Sequence, residues 1–364
     1  MQNNPMILNT QESLRIKLLR FMLIIGVVFV HAKGKTSVFA GKAIGVNQIS
    51  FMADFIINFI SNGVARLGVP LFFLISGYLF FWGLEWSKEN YFRKLKSRTK
   101  SLFIPFVFWN IITLFIIAIA QNIPATQIYF SGTNHQPISS FNSFDYLNAI
   151  FGITRHPIAY QFWFIRDLII LIIFIPLLKI FIKTSPIPYL ASLFIIWLLD
   201  IWPIYAPASV GLLFFSLGIY LGRNKKSLFA FDKYGVPLAL IYLTIVTIES
   251  LLTNTEITPY LHRVGIVFGV LSALYLSQFL AYYESLKKTI LWLSSASFFI
   301  FATHEPLLTI VRKLLYKAIA PDTSAMILFL YFATPIMVIT LLVIVYRISI
   351  KTMPRLTRTV TGGR

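Results

Sequence analysis

Arg20 and His31 stand eleven residues apart in one apolar stretch, Leu18 to Ala32, LLRFMLIIGVVFVHA. Eleven helical steps of about 100° bring the chain round to within about 20° of its starting direction, and at about 1.5 Å per residue they climb about 16 Å. Both polar groups therefore fall on one face of one helix. An ionisable side chain at the bilayer centre costs about 2.5 to 3.5 kcal/mol on insertion scales, so such a face turns to a protein interior or a watery cavity. A neutral imidazole, with a reference pKa near about 6.5, is suited to taking a proton from a hydroxyl or to carrying a group transiently. The pair predicts a site reaching from one membrane surface toward the middle.

A second histidine, His304, lies in a strongly apolar run and is followed at once by Glu305. Adjacent helical positions diverge by about 100°, so the two are expected to reach different partners or to mark a cavity mouth. The segment SKENYFRKLKSRTKS concentrates Lys88, Arg93, Lys94, Lys96, Arg98 and Lys100. That is more cation than topology requires, and clustered cations bind phosphates, so a phosphate-rich cytoplasmic ligand is expected there, with Arg20 completing its site. Arg166 beside Asp167 is expected to give each charge a partner on another helix. A connection from about 121 to 160 carries Asn134, His135, Gln136, Asp145, Arg155 and His156, and a stretch of that length points to function.

Several chemistries lose support. There is no GxxxxGK[ST] loop, no HExxH helix and no GxSxG elbow, and no histidine is followed at the fifth position by aspartate. With cysteine absent, disulfides, thiolate metal sites and cysteine nucleophiles are excluded, and no metal is expected.

The elements that must position these residues follow from composition. Of 364 residues, 57% are hydrophobic and only 12% charged, against about a quarter charged in ordinary soluble domains. The class is an all-α polytopic transmembrane bundle embedded in the lipid bilayer. Apolar runs of about 16 to 22 residues give about ten transmembrane helices, centred on Ile24, Phe73, Ile111, Leu171, Phe194, Phe214, Ile241, Leu271, Phe299 and Val338. Most Lys and Arg fall on one side if both termini are cytoplasmic, with Lys33, Lys35 and Lys42 a local exception. The first run is expected to be a retained helix rather than a signal peptide, since Val38-Phe39-Ala40 is a poor cleavage pattern. The membrane domain is taken as 1–350, followed by a basic cytoplasmic tail, 351–364. The net charge of +19 is read as cytoplasmic-side topology and phosphate binding, with no nucleic acid expected.

On these residues the chain resembles the integral-membrane acyltransferase 3 family. Its mark is an arginine, ten residues and a histidine in the first helix, matched by Arg20 and His31. The segment Gly68-Val-Pro-Leu-Phe-Phe-Leu-Ile-Ser-Gly-Tyr-Leu79 is similar to the family's VPLFFxxSGYL. Ile104-Pro105 with Trp109, Phe162-Trp163-Phe164 with Leu168, and Thr303-His304-Glu305-Pro306 follow in the family's order. In one departure, Arg98 is followed at the spacing of the family's Arg-x-x-Arg pair by Ser101, leaving Lys100 or Arg93 to supply the second charge.

The resemblance implies a multi-pass enzyme of the bacterial cytoplasmic (inner) membrane. It would move an acyl group, commonly acetyl, from cytoplasmic acetyl-coenzyme A or another acyl-coenzyme A to a hydroxyl. The acceptor partner is often a surface glycan or a lipid-linked saccharide. His31 would be general base or acyl relay, Arg20 with the cations from Arg93 to Lys100 would hold the donor's phosphates, and Arg66, Ser76, Trp163, His304 and Glu305 would meet substrate. The alternative from another class is a polysaccharide exporter or flippase using the same cavity without covalent chemistry. A third reading turns the acceptor toward the cytoplasm.

Overall fold

The computed structural model describes residues 9–39, 42–83, 86–124, 126, 136–253 and 255–363; Asn134 and His135 lie outside them. Helix α1, Thr10–His31, runs unbroken through the apolar stretch because no proline or glycine pair interrupts it, and Glu12 in its first turn complements the helix dipole. Two short antiparallel strands follow, β1 (Thr36–Phe39) and β2 (Lys42–Gly45), with Thr36 opposite Gly45 and Phe39 opposite Lys42.

The rest is helical: α2 (Phe51–Asn58), α3 (Gly68–Phe81), α4 (Lys88–Arg98), α5 (Ile104–Asn122), α6 (Ser143–Phe151), α7 (Trp163–Ile173), α8 (Ile175–Thr184), α9 (Pro186–Leu199) and α10 (Ser209–Arg223). Then come α11 (Gly235–Leu251), α12 (Thr258–Tyr282), α13 (Glu284–Ser294), α14 (Ser297–Ile319), α15 (Ser324–Thr352) and α16 (Pro354–Val360). Among the described residues five helical runs are long and apolar enough to cross a membrane: Phe51–Phe81, Lys88–Asn122, Asp232–Leu251, Thr258–Tyr282 and Ser324–Thr352. The pair α8 and α9, bent by 117°, makes a sixth if counted as one span. Phe194 and Phe214, expected at the centres of separate spans, lie in helices of 14 and 15 residues. The chain is an all-α, multi-pass membrane protein with one small hairpin.

It divides into two compact units, Met1–Val27 with Asn58–Arg98 and Asp167–Ser297, and Val28–Ile57 with Thr99–Arg166 and Phe298–Arg364. In the first, α3 and α10 meet backbone to backbone. A Cβ on Gly77 would lie 2.2 Å from the Phe215 carbonyl oxygen, and one on Gly218 would lie 2.2 Å from that of Leu74, so only glycine permits the approach. Arg15 locks α1 into the same unit. Its guanidinium pairs with Asp232 at 2.6 Å, donates to Ser277 Oγ at 2.9 Å and to the Leu274 carbonyl at 2.6 Å, and lies 3.8 Å from the Phe229 ring centroid.

In the second unit Phe162 sits among Phe106, Phe298 and Phe301, with the closest ring centroids 5.1 Å apart. Half of the segment expected as a tail is helix α16, docked on α5: Trp109 Nε1 donates to the Val360 carbonyl at 2.9 Å. Gly362, at φ 77°, lies so close to Ser101 that a Cβ would come within 2.4 Å of its carbonyl oxygen.

Candidate active site

Two parts of the second unit, the chain entering α7 and helix α14, converge on His31, the last residue of α1. The chain entering α7 is pinned on both sides of Tyr160. Before it, the Ala159 amide donates to Asn110 Oδ1 at 3.1 Å, and fully buried Asn110 is itself held by the Phe106 carbonyl at 2.8 Å. After it, Gln161 Nε2 donates to the carbonyls of Ala302 and Glu305 at 3.1 and 3.3 Å. The phenol set between these clamps makes a 3.1 Å hydrogen bond with His31 Nδ1, and the two rings meet edge to face at 5.0 Å.

Glu305 owes its placement to the residue after it. Proline disfavours helical geometry in the preceding residue, and Glu305 is extended (φ −109°, ψ 138°), kinking α14 there. Its buried carboxylate lies within interaction range of the Thr309 hydroxyl and amide and of the Tyr160 phenol. A continuous path, Glu305 to Tyr160 to His31, results. Arg312, one turn beyond Thr309, lies within electrostatic reach of all three groups and donates to the Lys33 carbonyl at 3.0 Å. Tyr316 donates to the Gly34 carbonyl at 2.9 Å, so α14 also holds the turn that follows His31.

His304 packs its ring 5.4 Å from that of His31. Its Nδ1 faces the carbonyls of Phe301 and Ile300 at 2.8 and 3.2 Å, and since carbonyls only accept, Nδ1 carries the proton. Nε2 is then a bare lone pair, fully buried and without a hydrogen-bond partner among the described residues. The expectation that His304 and Glu305 reach different partners holds, and both also face the His31 cluster.

The expected cations separate by environment. In the first unit Arg20 and Arg98 are both half-buried and close enough to repel one another. Lys94 donates to the carbonyls of Leu79, at 3.2 Å, and Phe80, where it neutralises the C-terminal end of α3. Arg93 is exposed and bonds Asn90 at 2.7 Å, while Lys96 is exposed. Lys100, also exposed, belongs to the second unit. Of the other candidates, Arg66 is exposed and Ser76 half-buried on α3, and Trp163 opens α7 with its ring 6.2 Å from His156. Asp167 accepts from the Ala208 amide at 2.8 Å, and Arg166 donates to the Gly152 carbonyl at 2.6 Å. Sequence reasoning missed Tyr160, Gln161, Thr309 and Arg312. A tyrosine is one of 17, and nothing in its spacing marks it.

The arrangement suits general-base chemistry on a hydroxyl at an imidazole oriented through its second nitrogen. Comparison with known proteins gives the family. The acyltransferase domain that defines the acyltransferase 3 family matches residues 13–346. The chain is 27% identical over 372 residues to the succinoglycan biosynthesis protein ExoH of Rhizobium meliloti (strain 1021), covering 98% of this chain and 94% of that protein. No solved structure matches it. From residue 13 to residue 346, through both units and around the His31 cluster, the chain belongs to the acyltransferase 3 family, whose members transfer acyl groups.

Proposed function

We propose that this protein moves an acyl group, acetyl in the simplest case, from cytoplasmic acyl-coenzyme A to a hydroxyl of a surface polysaccharide or its lipid-linked precursor. The observation that carries this reading is the path from Glu305 through Tyr160 to His31 Nδ1. Suppose His31 Nδ1–H donates to the Tyr160 oxygen and Tyr160 donates to Glu305. His31 Nε2 is then left as a lone pair, the state a general base requires. The likeness to a succinoglycan biosynthesis protein supports a polysaccharide acceptor.

Arg20 and Arg98, with Arg93, Lys96 and Lys100 and with Lys94 beside the end of α3, would hold the donor's phosphates at the cytoplasmic surface. His31 stands about 16 Å further along α1, about half the thickness of a bilayer core. There Nε2 takes the proton of the acceptor hydroxyl as its oxygen attacks the thioester carbonyl. The carbon–oxygen bond forms, the carbon–sulfur bond breaks, and the imidazolium returns the proton to the leaving thiolate, giving ester and free coenzyme A. Developing charge on His31 is met through Tyr160 by Glu305, and the bare His304 Nε2 accepts from a bound N–H or O–H. Arg66, Ser76 and Trp163 serve the acceptor. Ten spans with both termini cytoplasmic, in the bacterial inner membrane, would put the acceptor on the outer side.

The test is release of free coenzyme A from acetyl-coenzyme A by the purified protein with a candidate glycan, in wild type, His31→Ala and Arg20→Ala. Acceptor-dependent release lost in His31→Ala, in protein that still purifies folded, is the expected result. Glycan movement without binding or consumption of acyl-coenzyme A would replace this reading with the exporter.

A further inference from the structure

Beside Tyr160, within the second unit, lies a cavity of about 260 Å³. Tyr160 therefore forms part of its wall while also bonding His31. The cavity's lining combines a flat aromatic face, Phe141, with hydrogen-bonding side chains of different character: Gln121, Gln136, Arg155 and His156. Gln121 spends its carbonyl on the Ile138 amide at 3.0 Å, which leaves its N–H groups as donors. The Arg155 guanidinium lies over Phe141, 5.6 Å from the ring centroid, and makes no ion pair among the described residues. Among the described residues no carboxylate lines the cavity, and the Asp145 carboxylate is occupied by the Asn142 amide, at 3.0 Å, in the capping box of α6. The Phe141 ring and the Gln121 amide donors suit a sugar ring, whose faces are apolar and whose rim is hydroxyl, while the Gln136 amide is spent on Ser140. A planar guanidinium with no acidic neighbour suits a carboxylate, which it meets through two parallel hydrogen bonds.

We infer that this cavity seats one ring of the acceptor saccharide and that Arg155 selects a ring bearing a carboxylate, a uronic acid or a carboxyl-substituted sugar, presented past Tyr160 to His31. This rests on the acyl-transfer reading above and names the class of acceptor. A ring held by Phe141 and Arg155 brings its hydroxyls to Tyr160, the one lining residue whose phenol bonds His31 Nδ1.

Binding is measured apart from catalysis, on the full-length protein purified in detergent. The probes are a glucuronic-acid oligosaccharide and the same oligosaccharide with its carboxyls reduced to alcohols. The acidic probe is expected to bind at least tenfold more tightly by titration calorimetry. Arg155→Gln should bring its affinity down to that of the reduced probe, and Arg155→Lys should restore part of the difference. Because the Arg155 side chain is exposed, both variants are expected to fold. Equal binding of the two probes, or a preference that survives Arg155→Gln, overturns the inference. Coenzyme A release by the same preparations separates the two levels. Acid-selective binding at Arg155 without acyl transfer leaves the seat and removes the enzyme reading, whereas acyl transfer indifferent to Arg155 leaves the enzyme and removes the seat.

Discussion

Tyr160→Phe isolates the oxygen that joins His31 to Glu305. The substitution removes a 3.1 Å hydrogen bond to His31 Nδ1 and the hydroxyl that faces the Glu305 carboxylate, while the ring stays in its edge-to-face contact with the imidazole. Tyr160 is 39% exposed, and the residues flanking it are held by Asn110 and by the carbonyls of Ala302 and Glu305, so the fold should tolerate the change within about 0.5 kcal/mol. The catalytic effect should be larger. In the ground state the His31–Tyr160 bond is between neutral groups, but as His31 takes the acceptor's proton the path carries charge, and hydrogen bonds to charged groups are worth about 1.5 to 3 kcal/mol. At about 1.4 kcal/mol per tenfold in rate, kcat should fall by about 10- to 150-fold. The KM for acyl-coenzyme A should stay within about threefold, because an interaction that strengthens only in the transition state leaves donor binding alone. Initial rates of thiol release at varied acyl-coenzyme A and saturating acceptor measure both constants. A kcat within twofold of wild type, with His31→Ala inactive in the same assay, would refute the path.

Three further expectations rest on packing and charge. Arg98→Gln, which removes a half-buried cation near Arg20, should raise the KM for acyl-coenzyme A by about tenfold or more, whereas exposed Lys96→Gln should change it by less than about twofold; steady-state kinetics at two salt concentrations compare them. Gly77→Ala forces a methyl against the Phe215 carbonyl and should cost about 1 to 3 kcal/mol, read as a lower unfolding temperature in detergent. Arg15→Ala breaks an ion pair, two hydrogen bonds and a ring contact at once and should cost about 2 to 3 kcal/mol by the same measurement, with Arg15→Lys recovering only part because lysine lacks the planar fork.

What the sequence made legible was local. Helix α1 and the face shared by Arg20 and His31 follow from spacing within one segment, and α3 follows from an apolar run opened by Gly68. The bend at Glu305 also follows from its neighbour Pro306. The partners of His31 do not, because Tyr160 and His304 come from segments far along the chain, and only tertiary packing brings three rings together. Among the cations, charge density marks the basic helix α4. It cannot tell that Lys94 turns to the last carbonyls of α3 while Lys96 stays in solvent, since both are lysines two residues apart. The short helices α9 and α10 read as full spans because hydropathy counts apolar residues without seeing where Pro186 and the turn near Asp200 end them.

The contact between α3 and α10 carries a cost in time. About 130 residues separate the two helices, so at a synthesis rate of about 5 to 20 residues per second α3 waits roughly 6 to 26 s for its mate. Throughout that interval the groove meant for Gly218 and Gly222 faces lipid, which cannot match a backbone-close fit. A residue that widens the groove therefore weakens the pair that forms once α10 arrives. The first sign of such a variant in cells would be faster turnover of newly made chains, with any molecules that complete the pairing still active.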